Sequence, residues 1–154
     1  MYPHFYPAYG VVPVYNIGPS EFNLIIPILE ESIADEREDE LFYDSLIALA
    51  PTQLEKEVIT SIRNDERKHR RYLRQIYKEL TGRDAPPGKA NSFQPPASYL
   101  EGLEKALLGE LQAFERYRTV YMNIPERYKN MIFEIMTDEL KHAGYYNWLY
   151  AKNK

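Results

Sequence analysis

Asp65-Glu66-Arg67-Lys68-His69 and Asp138-Glu139-Leu140-Lys141-His142 are two copies of one word, Asp-Glu-x-Lys-His. Together they use two of the chain's three histidines. The apolar residues around the first copy fall at Ile59, Ile62, Leu73, Ile76 and Leu80. With Glu66 and His69 inserted, the steps alternate three and four, the spacing of one helix face. Around the second copy, Tyr128, Ile132, Ile135, Glu139, His142, Tyr146 and Leu149 step in the same way. Each word therefore puts a carboxylate and an imidazole where a core side chain belongs.

Working outward, two more apolar stripes carry a glutamate near their middle. One reads Leu29, Ile33, Glu36, Glu40, Tyr43 and Ile47; the other reads Leu100, Leu103, Leu107, Glu110, Phe114, Tyr117 and Tyr121. In both, a tyrosine follows the glutamate by seven positions. Glu66 follows Glu36 by 30 positions (66 − 36), and Glu139 follows Glu110 by 29 (139 − 110). Two helical hairpins of one design, related by a pseudo-twofold, account for the repeat.

The punctuation predicts four helices. The first spans Ser20 or Pro27 to Ala50, with Pro27 in its first turn or kinking it. The second opens on the capping box Thr52-Gln53-Leu54-Glu55 and stops at Thr81-Gly82. The third opens on Ser98-Tyr99-Leu100-Glu101 and ends near Asn123; the fourth starts at Pro125 and runs to about Ala151. Arg83 to Ala97, rich in proline, joins the two pairs. Extended, that stretch reaches ~50 Å at ~3.3 Å per residue. Helices of ~25 residues are ~38 Å long. The connection can therefore cross the whole bundle. Residues 1–19, rich in Tyr and Pro, read as an extended or disordered arm, and 20–154 as one helical domain.

Composition excludes several functions. A net charge of −4 offers no concentrated basic face for nucleic acid. The absence of cysteine removes disulfides, thiol catalysis and iron–sulfur centres. With no apolar run of membrane-spanning length and no signal-peptide pattern in Met1–Pro19, a cytoplasmic protein is expected.

Buried together and unpaired, Glu36, Glu66, Glu110 and Glu139 would cost several kcal/mol each. Two divalent cations cancel four carboxylates and use His69 and His142 as neutral ligands. On this reading Glu36 and Glu110 cap one metal each and Glu66 and Glu139 bridge. Oxygen ligands with one imidazole per metal suit iron or manganese better than zinc. A metal-bound imidazole usually donates its second N–H to a carboxylate, so Asp65 is expected to orient His142, and Asp138 to orient His69, with N–H or lysine pairing at the surface as the alternative. Tyr43 and Tyr117 are candidates to bond ligand carboxylates or to act in redox, with core packing as the alternative. Asp39 or Glu40 could add a carboxylate to one metal; solvent exposure is the other reading.

This set resembles the ferritin-like di-iron carboxylate superfamily over about Leu29 to Tyr150, most closely its rubrerythrin and bacterioferritin branches. The resemblance implies an all-α, ferritin-like four-helix bundle with one long crossover between helices 2 and 3. It implies two bound Fe ions, with Mn possible, and Glu36 and Glu110 terminal with Glu66 and Glu139 bridging. It implies an oxidoreductase that oxidises Fe(II) and reduces O2 or H2O2, in a homodimer. The alternatives are a dimanganese catalase-like site, a di-iron hydroxylase, or a non-enzymatic iron-binding or coat-associated protein. The chain departs from rubrerythrins in lacking a cysteine-bound electron-transfer domain and in having Ala113 where they carry a further glutamate.

Overall fold

The computed structural model describes residues 17–34, 36–87 and 93–154, with the side chains of Glu36 and Arg37 also outside the description. All regular structure among the described residues is helical: α1 Pro19–Ala34, α2 Glu36–Leu49, α3 Gln53–Thr81, α4 Tyr99–Asn123 and α5 Glu126–Asn153. The first helix expected from the stripes is covered by α1 and α2, with residue 35 between them outside the described residues. The expectation for an N-terminal arm falls on residues 1–16, outside the described residues, except that α1 already starts at Pro19. There proline fits the first helical turn, where its missing N–H has no intrahelical partner to lose. Pro27 lies inside α1, not in its first turn. The carbonyl it cannot serve belongs to Asn23, an exposed residue whose backbone can turn to water.

The other boundaries follow their caps. Thr52 accepts from the Glu55 N–H at 3.3 Å, and Ser98 accepts from the Glu101 N–H at 3.2 Å. Gly82 closes α3 in the left-handed conformation (φ 71°), its N–H on the Lys78 carbonyl at 2.8 Å. A side chain at that φ would be strained, which explains the glycine. Pro125 stands just outside α5 as its N-cap, one position earlier than its expected place in the helix.

α3 packs on α1, α2 and α5, while α4 packs on the same three helices. The Tyr99 hydroxyl at the start of α4 donates to Glu55 at the start of α3 (2.9 Å). Chain that leaves α3 at its far end, Gly82, therefore returns to the near end before α4 begins. At that same near end Lys152 and Asn153, closing α5, meet Glu55 at 2.7 and 3.0 Å. α3 and α4 thus run in parallel, with α5 against α3. Among the described residues no helix is long and apolar enough to cross a membrane.

Glu55 is 1% exposed. Burial pushes its carboxyl up, but Lys152, Tyr99, Asn153 and Thr52 together hold it below the ordinary 4.5. A depressed carboxylate contributes stability above its unfolded pKa and loses it as pH falls through its folded value. Lys152→Met leaves the buried carboxylate without its cation and should cost about 2 kcal/mol at pH 7. Urea denaturation should show the deficit shrinking toward pH 3; an equal midpoint at pH 7 would refute this role.

The core has two apolar blocks. One is built on Ile25, Leu29, Ile33, Leu73, Ile76, Val120, Ile132 and Ile135. The other is built on Leu46, Ile59, Ile62, Leu103, Tyr146 and Leu149. Along each long helix the sequence passes from one block to the other through ionisable residues: Ile62, Glu66, His69, Leu73 on α3; Ala106, Glu110, Ala113 on α4; Ile135, Glu139, His142, Tyr146 on α5. A polar belt divides the core. On α4 the buried face differs from the expected stripe: Leu103, Ala106, Glu110, Ala113, Tyr117 and Val120 point inward, while Leu107, Phe114 and Tyr121 lie only partly buried. Small residues occupy the inner face here, and the reason is the hollow beside the belt.

Candidate metal centre

Ligand atoms of Glu66, Glu110, Glu139 and His142 all lie within 4.8 Å of one another. Donors on opposite sides of one octahedral ion stand roughly 4–5 Å apart, so the spacing suits a single cation. His69 stands beside His142, their rings stacked with centroids 5.9 Å apart. Its Nδ1 is 3.4 Å from Glu66 Oε1 and 3.4 Å from Glu139 Oε1. His142 Nδ1 is 3.2 Å from Glu66 Oε1, 3.5 Å from Glu139 Oε2 and 3.7 Å from Glu110 Oε2. Glu139 thus offers one oxygen to each imidazole, and Glu66 Oε1 faces both.

The outer ring nitrogens point the other way. His69 Nε2 is 3.0 Å from Asp138, and His142 Nε2 is 3.2 Å from Asp65. Both contacts run between α3 and α5. An imidazole whose Nε2–H is taken by a carboxylate presents Nδ1 as its free lone pair. Those two Nδ1 atoms and Glu66 Oε1 are buried without a hydrogen-bond partner. Buried polar atoms normally find partners, so three orphans aimed at one point call for a missing one. A cation satisfies them together; the donor set of carboxylates and imidazoles fits iron or manganese.

Without metal, the cluster must balance itself with protons. Burial opposes the charge on His69, but Glu139 and Glu66 push it up to about 10. Burial likewise opposes His142, and Glu110, Glu139 and Glu66 push it up to about 12. Glu66 is pulled down to about 2: the two histidines outweigh its burial. Burial raises Glu110 well above 4.5 and the neighbouring Glu139 and Glu66 charges add to it, outweighing His142. Two imidazolium ions take the positions that two cations would hold.

Glu36 opens α2, but its side chain lies outside the description, so its part in the cluster rests on the sequence. Tyr43 and Tyr117 are buried, 8% and 6% exposed. Burial raises both phenols; the charges of Glu66 and Glu110 near Tyr43, and of Glu139 near Tyr117, add to it. Both line a cavity of about 260 Å³ that runs from Glu38, Asp39, Lys105 and Arg116 down to Glu66, His69, Glu110 and Glu139. Ala106, Gly109 and Ala113 line it along α4, and a Cβ built on Gly109 would meet no atom within 4 Å. Their small size leaves the hollow open. Glu40 is held elsewhere: Arg67 binds both its oxygens at 2.8 and 2.6 Å, and Arg70 adds 2.6 Å. Asp39 lies at the cavity with Arg70 Nη1 at 3.7 Å.

No protein-family model, curated protein or solved structure matches the chain.

Pairing of Asp65 and Asp138 with lysine, the sequence alternative to their orienting role, occurs alongside that role. Lys141 reaches Asp65 at 2.9 Å and Asp138 at 2.6 Å; Lys68 reaches Asp138 at 3.2 Å, Asp65 at 3.5 Å and Glu134 at 2.8 Å. The signal was present, because lysine holds the fourth place of both repeated words. It reads alone as ordinary surface charge.

Proposed function

We propose that this chain is a ferritin-like dinuclear iron protein that oxidises Fe(II) at the expense of O2 or H2O2. The observation that carries the reading is the pair of buried, unpartnered Nδ1 atoms facing three carboxylates, each with its outer nitrogen on an aspartate. Bound iron supplies the redox chemistry: two Fe(II) give two electrons, which with two protons take O2 to H2O2 or H2O2 to two waters.

The chain's residues do the rest. Glu66 and Glu139, facing both imidazoles, would be the ligands shared between two ions. Glu110 caps the His142 side, and Glu36, by the symmetry of the repeat, the His69 side. Carboxylates supply the negative charge that a trivalent pair needs, and they can change between one-oxygen and two-oxygen binding as charge changes. Asp65 and Asp138 keep both imidazoles turned inward. The two apolar blocks exclude water above and below the belt. That leaves the cavity between α2 and α4 as the approach for a small oxidant or an incoming cation, with Glu38 and Asp39 beside Lys105 and Arg116 at its outer end.

A second reading, hydroxylation of a small organic molecule, draws on the same cavity, whose 260 Å³ exceeds what O2 or H2O2 requires. One experiment separates the two. Metal-free protein is titrated with Fe(II) without oxygen, then exposed to O2 or to H2O2 with no organic compound present. Rapid growth of Fe(III) absorbance, proportional to about two irons per chain, is the expected result. Iron that binds but stays ferrous with both oxidants would move the case to the hydroxylase reading; no binding at all would end both.

A further inference from the structure

Asp65, Lys68, Asp138 and Lys141 form a closed quartet of alternating charge across α3 and α5, directly behind the two imidazoles. Asp138 Oδ2 takes both the His69 Nε2 contact (3.0 Å) and Lys68 Nζ (3.2 Å), while its Oδ1 takes Lys141 (2.6 Å). Asp65 Oδ2 takes both His142 Nε2 (3.2 Å) and Lys141 (2.9 Å). Each lysine is thus one carboxylate away from an imidazole whose other nitrogen faces the belt. The lysine side chains are 27% and 44% exposed, and Asp138 only 15%, so water screens the quartet incompletely.

Charge counting gives the quartet a meaning. The acids that face the imidazoles, Glu66, Glu110, Glu139, Asp65 and Asp138 with Glu36 from the sequence, number six; leaving aside Glu134, which meets Lys68 at 2.8 Å but is 44% exposed and touches neither ring, they leave a formal −4 against Lys68 and Lys141. Two divalent ions bring that to zero. Two trivalent ions overshoot it. Without the lysines the same acids would match a higher metal charge. We infer that Lys68 and Lys141 are positioning residues that bias the bound pair toward its divalent state, by neutralising the aspartates behind both imidazoles. This rests on the iron-pair reading.

A cation removed from behind a ligand favours the more highly charged metal, since the Coulomb term scales with that charge. Loss of lysine could also loosen the aspartate and so the imidazole. That disturbance is common to both oxidation states and largely cancels in a reduction potential, whereas the charge does not. The test is spectroelectrochemical titration of the iron-loaded, full-length chain as wild type, K68M, K141M and the charge-preserving pair K68R/K141R. Each Met variant should raise the Fe(III)/Fe(II) ratio at a fixed potential about tenfold, a fall of about 59 mV for one electron. The Arg pair should stay at the wild-type value. Met variants holding two irons at the wild-type potential, or Arg variants falling as far as the Met ones, would overturn the inference and leave the iron reading standing. A wild-type chain that takes up no iron pair would overturn the reading itself.

Discussion

Glu66→Ala with Glu139→Ala is expected to abolish binding of the proposed metal pair. Glu139 sends Oε1 to 3.4 Å from His69 and Oε2 to 3.5 Å from His142, and Glu66 Oε1 stands at 3.4 and 3.2 Å from the same two rings. A carboxylate placed between two imidazoles serves both ions, so its loss weakens both at once. Removing an outer partner of a metal ligand costs about 10–100-fold; loss of two shared ligands should cost more than about 1000-fold. Anaerobic Fe(II) or Co(II) titration should fall from two ions per chain to none at concentrations that saturate wild type. Glu104→Ala, on the exposed side of α4, should leave both sites intact. If the double variant still takes up two ions, the ligand set assigned here is wrong.

The second large effect is on pH. In the metal-free chain His69 and His142 hold protons up to about 10 and about 12. Coordination through Nδ1 requires the neutral ring, so metal and proton compete for the same lone pairs. At pH 7 binding should release at least two protons, one per imidazole and a further one to the extent that the raised Glu110 carboxyl is protonated, and the overall constant for the pair should rise at least about a hundredfold per pH unit. Raised histidine values also have a sign for stability. Each imidazolium stabilises the metal-free fold fully below an unfolded pKa near 6.5, and the contribution disappears as pH rises through the folded value. The metal-free chain should therefore weaken in alkali while the loaded chain does not. Calorimetric titration in buffers of different ionisation enthalpy between pH 6 and 8 measures the protons released. A binding constant flat across that range would mean that the imidazoles are not displaced by metal.

Much of this centre is legible in the sequence because its determinants are periodic. Glu66 and His69 sit three apart, as do Glu139 and His142, and helical geometry alone puts each pair on one face. Apolar neighbours at three- and four-residue steps fix which face turns inward. The caps at Thr52 and Ser98 and the turn at Gly82 are local chemistry and stand where the punctuation put them. What the sequence does not yield depends on distances between helices. The face of α4 illustrates this. Leu107 and Ala106 are equally plausible inner residues by period, and only the packed bundle shows that the alanine faces in and leaves space. Glu40 sits on the right stripe for a ligand, yet α3 carries Arg67 and Arg70 to it. No one-helix pattern contains that fact. The charge quartet is similar, since Lys68 takes Asp138, and Lys141 takes Asp65, from the other helix.

The most direct test of a metal pair in the polar belt is a crystal structure of iron-loaded protein with anomalous difference maps recorded above and below the iron edge. Two strong iron peaks are predicted inside the bundle, one on His69 Nδ1 and one on His142 Nδ1, with Glu66 and Glu139 reaching both. A belt that shows no iron peak, with its imidazoles still bonded to the carboxylates, would contradict the account.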